Sequence, residues 1–368
     1  MQTNLVKGSL AVWARAEGRA MFEIAGRTIG EGFPTYIIAE MSANHGHSFD
    51  TAVQVLRAAK EAGADAIKLQ TYTADTITMK GDNKYFQINS GSSWDGRTLY
   101  DLYSEAYMPW EWQPELKRIA DDLGIHLFSS PFDETAVDFL EEMDVPAYKI
   151  ASFEIVDIPL VRRIARCGKP IIMSTGMASL AEIDEAVQAI RNEGNDQIAL
   201  LKCTSAYPAP AEEMNLRTIP HLSEAFSVPV GLSDHTLGIA VPVTAVALGA
   251  TIVEKHLTLS RDVRGPDSAF SLEPNELEAM IAAIRTAEKA LGTVQYEATE
   301  KERANRSFRR SLFVVEDVRD GEAFTKENMR SIRPGHGLHP RFLNIVLGKR
   351  ATCDIRRGTP LTWDLIVE

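Results

Sequence analysis

Long apolar runs are missing from this 368-residue chain. None approaches the roughly 20 residues that a membrane-spanning helix needs, which excludes a protein of that kind. Cysteine is scarce: Cys167, Cys203 and Cys353 stand far apart and form no CxxC pair. That spacing argues against a cysteine zinc site and fits a reducing cytoplasm. Positive charge is in deficit. A net charge of −12 leaves no broad footprint for nucleic acid or an anionic membrane, so neither is expected as a partner. Anionic substrates would have to be met by local lysines or by a metal ion. The nucleotide motifs GxxxxGK[ST] and a strand-borne GxGxxG are absent, as is the GxSxG elbow. Residues 1–20 scatter Lys7, Arg15, Glu17 and Arg19 among small apolar residues. With no continuous apolar segment there, a ragged extension is expected rather than a secretory signal, with Met21 as an alternative start.

What is present is an ordinary globular balance, 45% hydrophobic and 24% charged. Short apolar runs at 36–40, 64–69, 126–129, 147–151, 170–174, 198–203, 228–233 and 251–256 read as strands. Helical patterns follow them, as at 49–62, 112–123, 180–191 and 277–291. Short buried-type strands alternating with helices predict a parallel sheet. Eight such units predict an α/β fold closed as a (β/α)8 TIM barrel rather than an open sheet. The expected division is an extension and lead-in over 1–32, the barrel over 33–292 and a polar linker over 293–307. A small β-rich domain is expected over 308–368, where turn signals such as Pro-Gly-His-Gly break short apolar runs. At about 60 residues such a domain is marginal alone and should pack on its own barrel or a partner's. One long insertion, 71–110, carries Tyr72, Tyr85, Phe86, Trp94, Tyr100, Tyr103, Tyr107 and Trp110. Leu99, Leu102, Tyr103 and Ala106 have helical spacing within it. Most of its aromatics should pack the insertion down, and its position after a strand makes it a wall over the barrel mouth.

Barrel enzymes place their chemistry at the C-terminal ends of strands. Here every predicted strand ends in polar or ionisable residues: Glu40, Lys68 and Gln70, Ser130, Lys149 with Ser152 and Glu154, Ser174, Lys202 with Ser205 and Tyr207, Ser233 with Asp234 and His235, and Glu254 with Lys255 and His256. A full ring is hard to explain as packing, because buried charge is costly unless paired. Lys68 and Lys149 with the serine hydroxyls suit a phosphate and a carboxylate; a structural pairing of Lys149 with Glu154 or Glu40 is the plain alternative. His235 and His256 end neighbouring strands, which lie about 5 Å apart, so both imidazoles can reach one metal ion and leave positions open. His45 and His47 are weaker candidates, expected to shape their loop or touch substrate.

The segments IIAEMSANH (37–45), ADAIKLQTYT (64–73), FSSPFD (128–133), AYKIASFEI (147–155), MSTGM (173–177), LLKCTSAYPAP (200–210), GLSDHTLG (231–238), VEKHLTL (253–259) and GPDSAFSLEP (265–274) resemble the sialic acid synthase family. RRSLFV (309–314) and IRPGHGL (332–338) resemble its antifreeze-like, or SAF, domain. The resemblance implies a cytoplasmic transferase that condenses phosphoenolpyruvate with a sugar aldehyde. It implies that Lys68, Ser130, Lys149, Ser152, Ser174, Ser205 and Ser233 hold phosphoenolpyruvate, and that His235 and His256 bind a divalent metal, Mn2+ first, with Mg2+ or Co2+ as substitutes. Glu40 and Glu154 then serve as general acid/base groups or position water. Gln70, Tyr207 and Asp267 contact the sugar, with Arg333 and Phe308 reaching it from the SAF domain of the other subunit in a domain-swapped homodimer. Within the family, 94–112 and 200–210 resemble the pseudaminic acid branch, whose sugar is 2,4-diacetamido-2,4,6-trideoxy-L-altrose. Ala206 stands where N-acetylneuraminate synthases typically carry Glu, so that branch and the legionaminic one are the nearest alternatives. Outside the family stand a Schiff-base aldolase using Lys149 or Lys68, and a non-catalytic sugar-binding scaffold.

Overall fold

The structure, a computed structural model, describes residues 20–89, 95–263 and 265–367. The expected ragged segment before residue 20, and Trp94 of the insertion, lie outside these. A hairpin of β1 (Met21–Ile24) and β2 (Arg27–Gly30) leads into a closed parallel barrel. Its strands are β3 (Tyr36–Glu40), β4 (Ala66–Thr71), β5 (His126–Pro131), β6 (Tyr148–Ile150), β7 (Ile171–Ser174), β8 (Ile198–Cys203), β9 (Val230–Asp234) and β10 (Ile252–His256), with β10 closing on β3. The strands are buried on both faces, β3, β9 and β10 at every position, as continuous apolar runs require in a parallel sheet wrapped by helices.

Strand β4 starts and ends later than its apolar run suggests. Asp65 turns its carboxylate back to accept the Ile37 amide at 2.8 Å, so it marks the approach to the strand. At the other end Gln70 and Thr71 stay in register with Ser130 and Pro131 of β5, which carries polar residues to the rim. Helix starts follow local chemistry: Ser48 caps Phe49–Glu61, and Ser179 forms a capping box with Glu182 at Leu180–Asn192.

The hairpin sits at the N-terminal end of the strands. Ile24 and Ile29 are buried in the same apolar core as the barrel, and Arg27 Nε lies 3.7 Å from the Asp65 carboxylate just before β4. Tyr36 and His126, the first residues of β3 and β5, join there through a 2.7 Å hydrogen bond. No helix among the described residues is long and apolar enough to cross a membrane.

Residues 293–368 form a second compact unit. The polar stretch expected as a linker carries a short helix, Glu300–Ala304, with a Thr299 capping box. Beyond it β11 (Ser311–Val314) pairs antiparallel with β12 (Met329–Ile332) over a small core of Leu312, Val314, Val318, Phe324 and Leu361.

Candidate active site

Side chains alternate along a strand, so Glu254 and His256 share one face of β10 and Lys255 takes the other. The first face meets, across the barrel interior, the residues predicted from other strands. Lys68 Nζ lies 2.7 Å from Glu40 Oε2 and 3.6 Å from Glu254 Oε1, and donates to Ser130 Oγ at 3.3 Å. Lys149 Nζ donates to Glu254 Oε1 at 3.2 Å, and Ser233 Oγ to the same oxygen at 3.4 Å. All of these groups are buried. Burial opposes the charge on Glu254, but Lys149 and Lys68 hold its carboxyl below the usual range. Burial pushes Glu40 up to about 7 against the pull of Lys68, with Glu254 adding to the push. Lys149, also buried, is lowered, with Glu254 partly offsetting. The structural pairing weighed for Lys149 thus exists, but with Glu254.

The hydroxyls gather beside this cluster. Ser152 Oγ accepts the Gly176 amide at 3.1 Å, Ser205 Oγ lies 3.8 Å from Cys203 Sγ, and Ser174 Oγ is buried without a hydrogen-bond partner. Gly176 is required here by space. A Cβ would collide with Ser205 Oγ and stand 2.7 Å from Ser152 Oγ.

His235 and His256 lie with ring centroids 5.3 Å apart, edge to face, and Phe270 packs on both. His235 Nδ1 is 3.0 Å from the Thr204 carbonyl, so Nδ1 donates there and Nε2 is the nitrogen left to bind a ligand. His256 Nδ1 is buried with no partner, and burial, reinforced by His235, keeps this imidazole neutral by lowering it well below the usual range. One oriented imidazole beside one neutral, unpartnered imidazole fits a divalent ion held by two histidines. Among the described residues no three His, Cys, Asp or Glu side chains group to hold a metal, so further ligands would come from water or substrate. His45 and His47 shape their loop: His45 Nδ1 accepts the His47 amide at 3.1 Å, and His47 Nε2 meets the Glu105 carbonyl at 2.7 Å.

Above the cluster opens a cavity of about 340 Å³ whose lining includes Gln70, Glu154, Tyr207, His256 and Asp267. Gln70 donates at 2.9 Å to both Glu40 and Ser42, and Ser42 hydrogen-bonds Asp267. Burial pushes Glu154 up to about 7 and raises Asp267 as well. The insertion forms the opposite wall with Tyr72, Ile77, Leu102, Tyr103 and Ala106. Tyr72 packs on Tyr103 and Phe132, and Trp110 on Phe139, so some of its aromatics line the mouth while others anchor the wall; Tyr85 is exposed.

The barrel therefore brings together the predicted residues from all its strands. Phe308 and Arg333 lie in the second unit, exposed there. One site member was missed, Ser42, and one was named in the ring without a role: Glu254 ties both lysines together, and its signal was its spacing two residues before His256, on the same face. Ser42 links Gln70 to Asp267 from a loop position that carries no periodic signal. Lys255, read as part of the rim, lies on the other face and pairs with Asp234.

Fold and site define a barrel enzyme, with buried lysines and hydroxyls low in the mouth and a cavity above them. The chain belongs to the NeuB family: residues 55–296 match that family and 309–367 match the SAF domain. It is 48% identical over 326 residues to the pseudaminic acid synthase of Campylobacter jejuni, covering 89% of this chain and 95% of that one. It is 44% identical over 332 residues to the pseudaminic acid synthase of Helicobacter pylori, covering 90% and 97%. The crystal structure of the Bacillus subtilis spore coat polysaccharide biosynthesis protein SpsE matches with a TM-score of 0.64 at 37% identity, covering 95% of this chain and 99% of that one.

Proposed function

We propose that this enzyme is a transferase that condenses phosphoenolpyruvate with 2,4-diacetamido-2,4,6-trideoxy-L-altrose, giving pseudaminic acid and phosphate. The observation that carries the reading is the stacking of two sites in one mouth, Lys68 and Lys149 with their serines below, Gln70, Tyr207 and Asp267 around the cavity above. The identity to two pseudaminic acid synthases supports the choice of sugar.

Lys68 and Lys149 exchange carboxylate partners for the phosphate and carboxylate of phosphoenolpyruvate, with Ser130, Ser152, Ser174, Ser205 and Ser233 as hydroxyl donors. Gln70, Tyr207 and Asp267 orient the open-chain sugar so that its aldehyde faces C3 of phosphoenolpyruvate. C3 forms the new bond to the aldehyde carbon, and the aldehyde oxygen takes a proton. Water adds at C2 and gives up one proton; the bond from C2 to the phosphate oxygen then breaks, and the new C2 hydroxyl loses its proton to leave the keto group as phosphate departs. Glu40 and Glu154, both pushed to about 7, exchange protons near neutrality and serve as acid and base for these steps. His235 and His256 would hold the divalent ion, which when bound supplies Lewis-acid polarisation of the aldehyde oxygen.

A second copy completes the site in this reading, its SAF unit closing the mouth in a domain-swapped homodimer. The apolar side chains Phe153, Val156, Met177 and Leu237 stand exposed on the loops after β6, β7 and β9, as a covered rim requires. Arg333 and Phe308, both exposed, would reach the sugar from the partner. Mixing Arg333→Ala with His235→Ala subunits should then restore activity that neither variant has alone. The three free thiols and the use of phosphoenolpyruvate support a cytoplasmic location.

Purified enzyme with Mn2+ and phosphoenolpyruvate should release phosphate with the altrose derivative and lose that activity in EDTA. Phosphate release with N-acetylmannosamine but not with the altrose derivative would overturn the assignment. A borohydride-trapped pyruvate adduct on Lys149 would replace it with a Schiff-base aldolase.

A further inference from the structure

Behind the two histidines lies an ion pair that the proposed chemistry does not use. Lys255 is 0% exposed and Asp234 1% exposed, and Lys255 Nζ lies 2.5 Å from Asp234 Oδ2. The two residues are partners in the β9–β10 register, and each immediately precedes a histidine: Asp234 before His235, Lys255 before His256. By strand alternation they occupy the face opposite Ser233 and Glu254, away from the anion pocket.

The contacts reach further than the pair. Asp234 accepts the Thr236 amide at 3.1 Å through Oδ1 and the Thr236 hydroxyl at 3.1 Å through Oδ2, folding the chain around His235. Lys255 Nζ also donates to the Thr236 carbonyl. One ammonium, held by the residue before His256, therefore bonds the Asp234 carboxylate on one side of His235 and the Thr236 carbonyl on the other. His235 itself lies just past the end of β9, beyond the last ladder pair, Lys255 with Asp234, where the strand ladder no longer fixes it.

Stability alone does not explain the pair. Buried ion pairs lose much of their attraction to desolvation, and apolar replacements of similar volume are often neutral or stabilising. What such a pair supplies is a fixed geometry. We propose that Asp234 and Lys255 are positioning residues that hold His235 and His256 at the separation a divalent ion requires. This rests on the two-histidine reading of the site. Lys255 and Asp234 touch neither substrate nor metal; they act through the strand ends, as outer partners of ligating histidines do elsewhere.

The test uses full-length protein and Mn2+ alone as the probe, read by calorimetry. Single substitutions would strand a buried charge, so both partners change together. Asp234→Leu/Lys255→Met removes the pair and the turn bonds, and Asp234→Asn/Lys255→Met keeps a side-chain acceptor for Thr236. Each folded double variant should bind Mn2+ about 10–100-fold more weakly, and the Asn variant, which keeps an acceptor for Thr236, should do so with a melting temperature close to wild type. In turnover it should lose kcat while KM for phosphoenolpyruvate stays within about twofold. Unchanged Mn2+ affinity in either folded variant overturns the proposal, as does weakened affinity that simply tracks a fall in melting temperature. His235→Ala and His256→Ala separate the two ideas. If they too bind Mn2+ normally, the two-histidine site itself is wrong. If they lose binding and the double variants do not, only the positioning role fails.

Discussion

Lys68 and Glu40 meet at 2.7 Å across β3 and β4, one register pair from end to end and both shut off from solvent. Removing one partner leaves a charge buried without its counter-ion, which costs about 3–5 kcal/mol. Lys68→Met should therefore lower stability by about that amount, measured by urea denaturation. Glu40→Gln/Lys68→Met should recover much of it. Neither variant should bind phosphoenolpyruvate tightly. A double variant no more stable than Lys68→Met would mean the cost lies in packing, not charge.

Glu154 gives a pH signature. Its folded carboxyl is raised by burial to about 7, from an unperturbed value of 4.5. Between those values the folded state binds more protons than the unfolded chain, so stability falls as pH rises through the window. Because the side chain is partly exposed, the contribution should be on the order of 1–3 kcal/mol. Glu154→Gln should lessen the slope of the melting-temperature profile between those two pH values, leaving the share that Glu40 contributes, and should alter the limb near neutrality in the pH profile of kcat. An unaltered profile would take Glu154 out of the proton chemistry.

The apolar wall of the cavity bears on the choice of sugar. Ile77, Leu102 and Ala106 face it from the insertion, where a 6-deoxy sugar offers a methyl group and other sugars a hydroxyl. Leu102→Asn should narrow the preference for the 6-deoxy substrate by about 10–100-fold in kcat/KM. A loss of activity equal for 6-deoxy and 6-hydroxy substrates would place the methyl elsewhere.

Gly176→Ala should disrupt the hydroxyl cluster, since its Cβ collides with Ser205 and crowds Ser152. KM for phosphoenolpyruvate should rise at least about tenfold, with little change in melting temperature, because the crowding falls on movable side chains at the rim. An unchanged KM would remove Ser152 and Ser205 from the anion pocket.

The barrel was legible because its strands are short and apolar, and because all end in polar residues. Period two alone places Glu254 beside His256 and Lys255 opposite, but a run of three ionisable residues obscured that alternation. The wall over the mouth, with its helix around Leu102, was legible from the insertion's place after a strand; Ser42 and Ile77 depend on how loops fold back, which no periodicity encodes. Phe308 and Arg333 rest on family resemblance alone, because no spacing or periodicity in the sequence ties them to the barrel mouth.

Ile24 and Ile29 of the β1–β2 hairpin join the barrel core at the N-terminal end of the strands, while the cavity lies at the other end. Side chains fill the interior of such a barrel, so the cavity has a single doorway. On the proposed chemistry, the molecule bound by Lys68 and Lys149 must enter before the one bound around Gln70 and Tyr207. The later arrival then acts as the plug that keeps the earlier one from escaping.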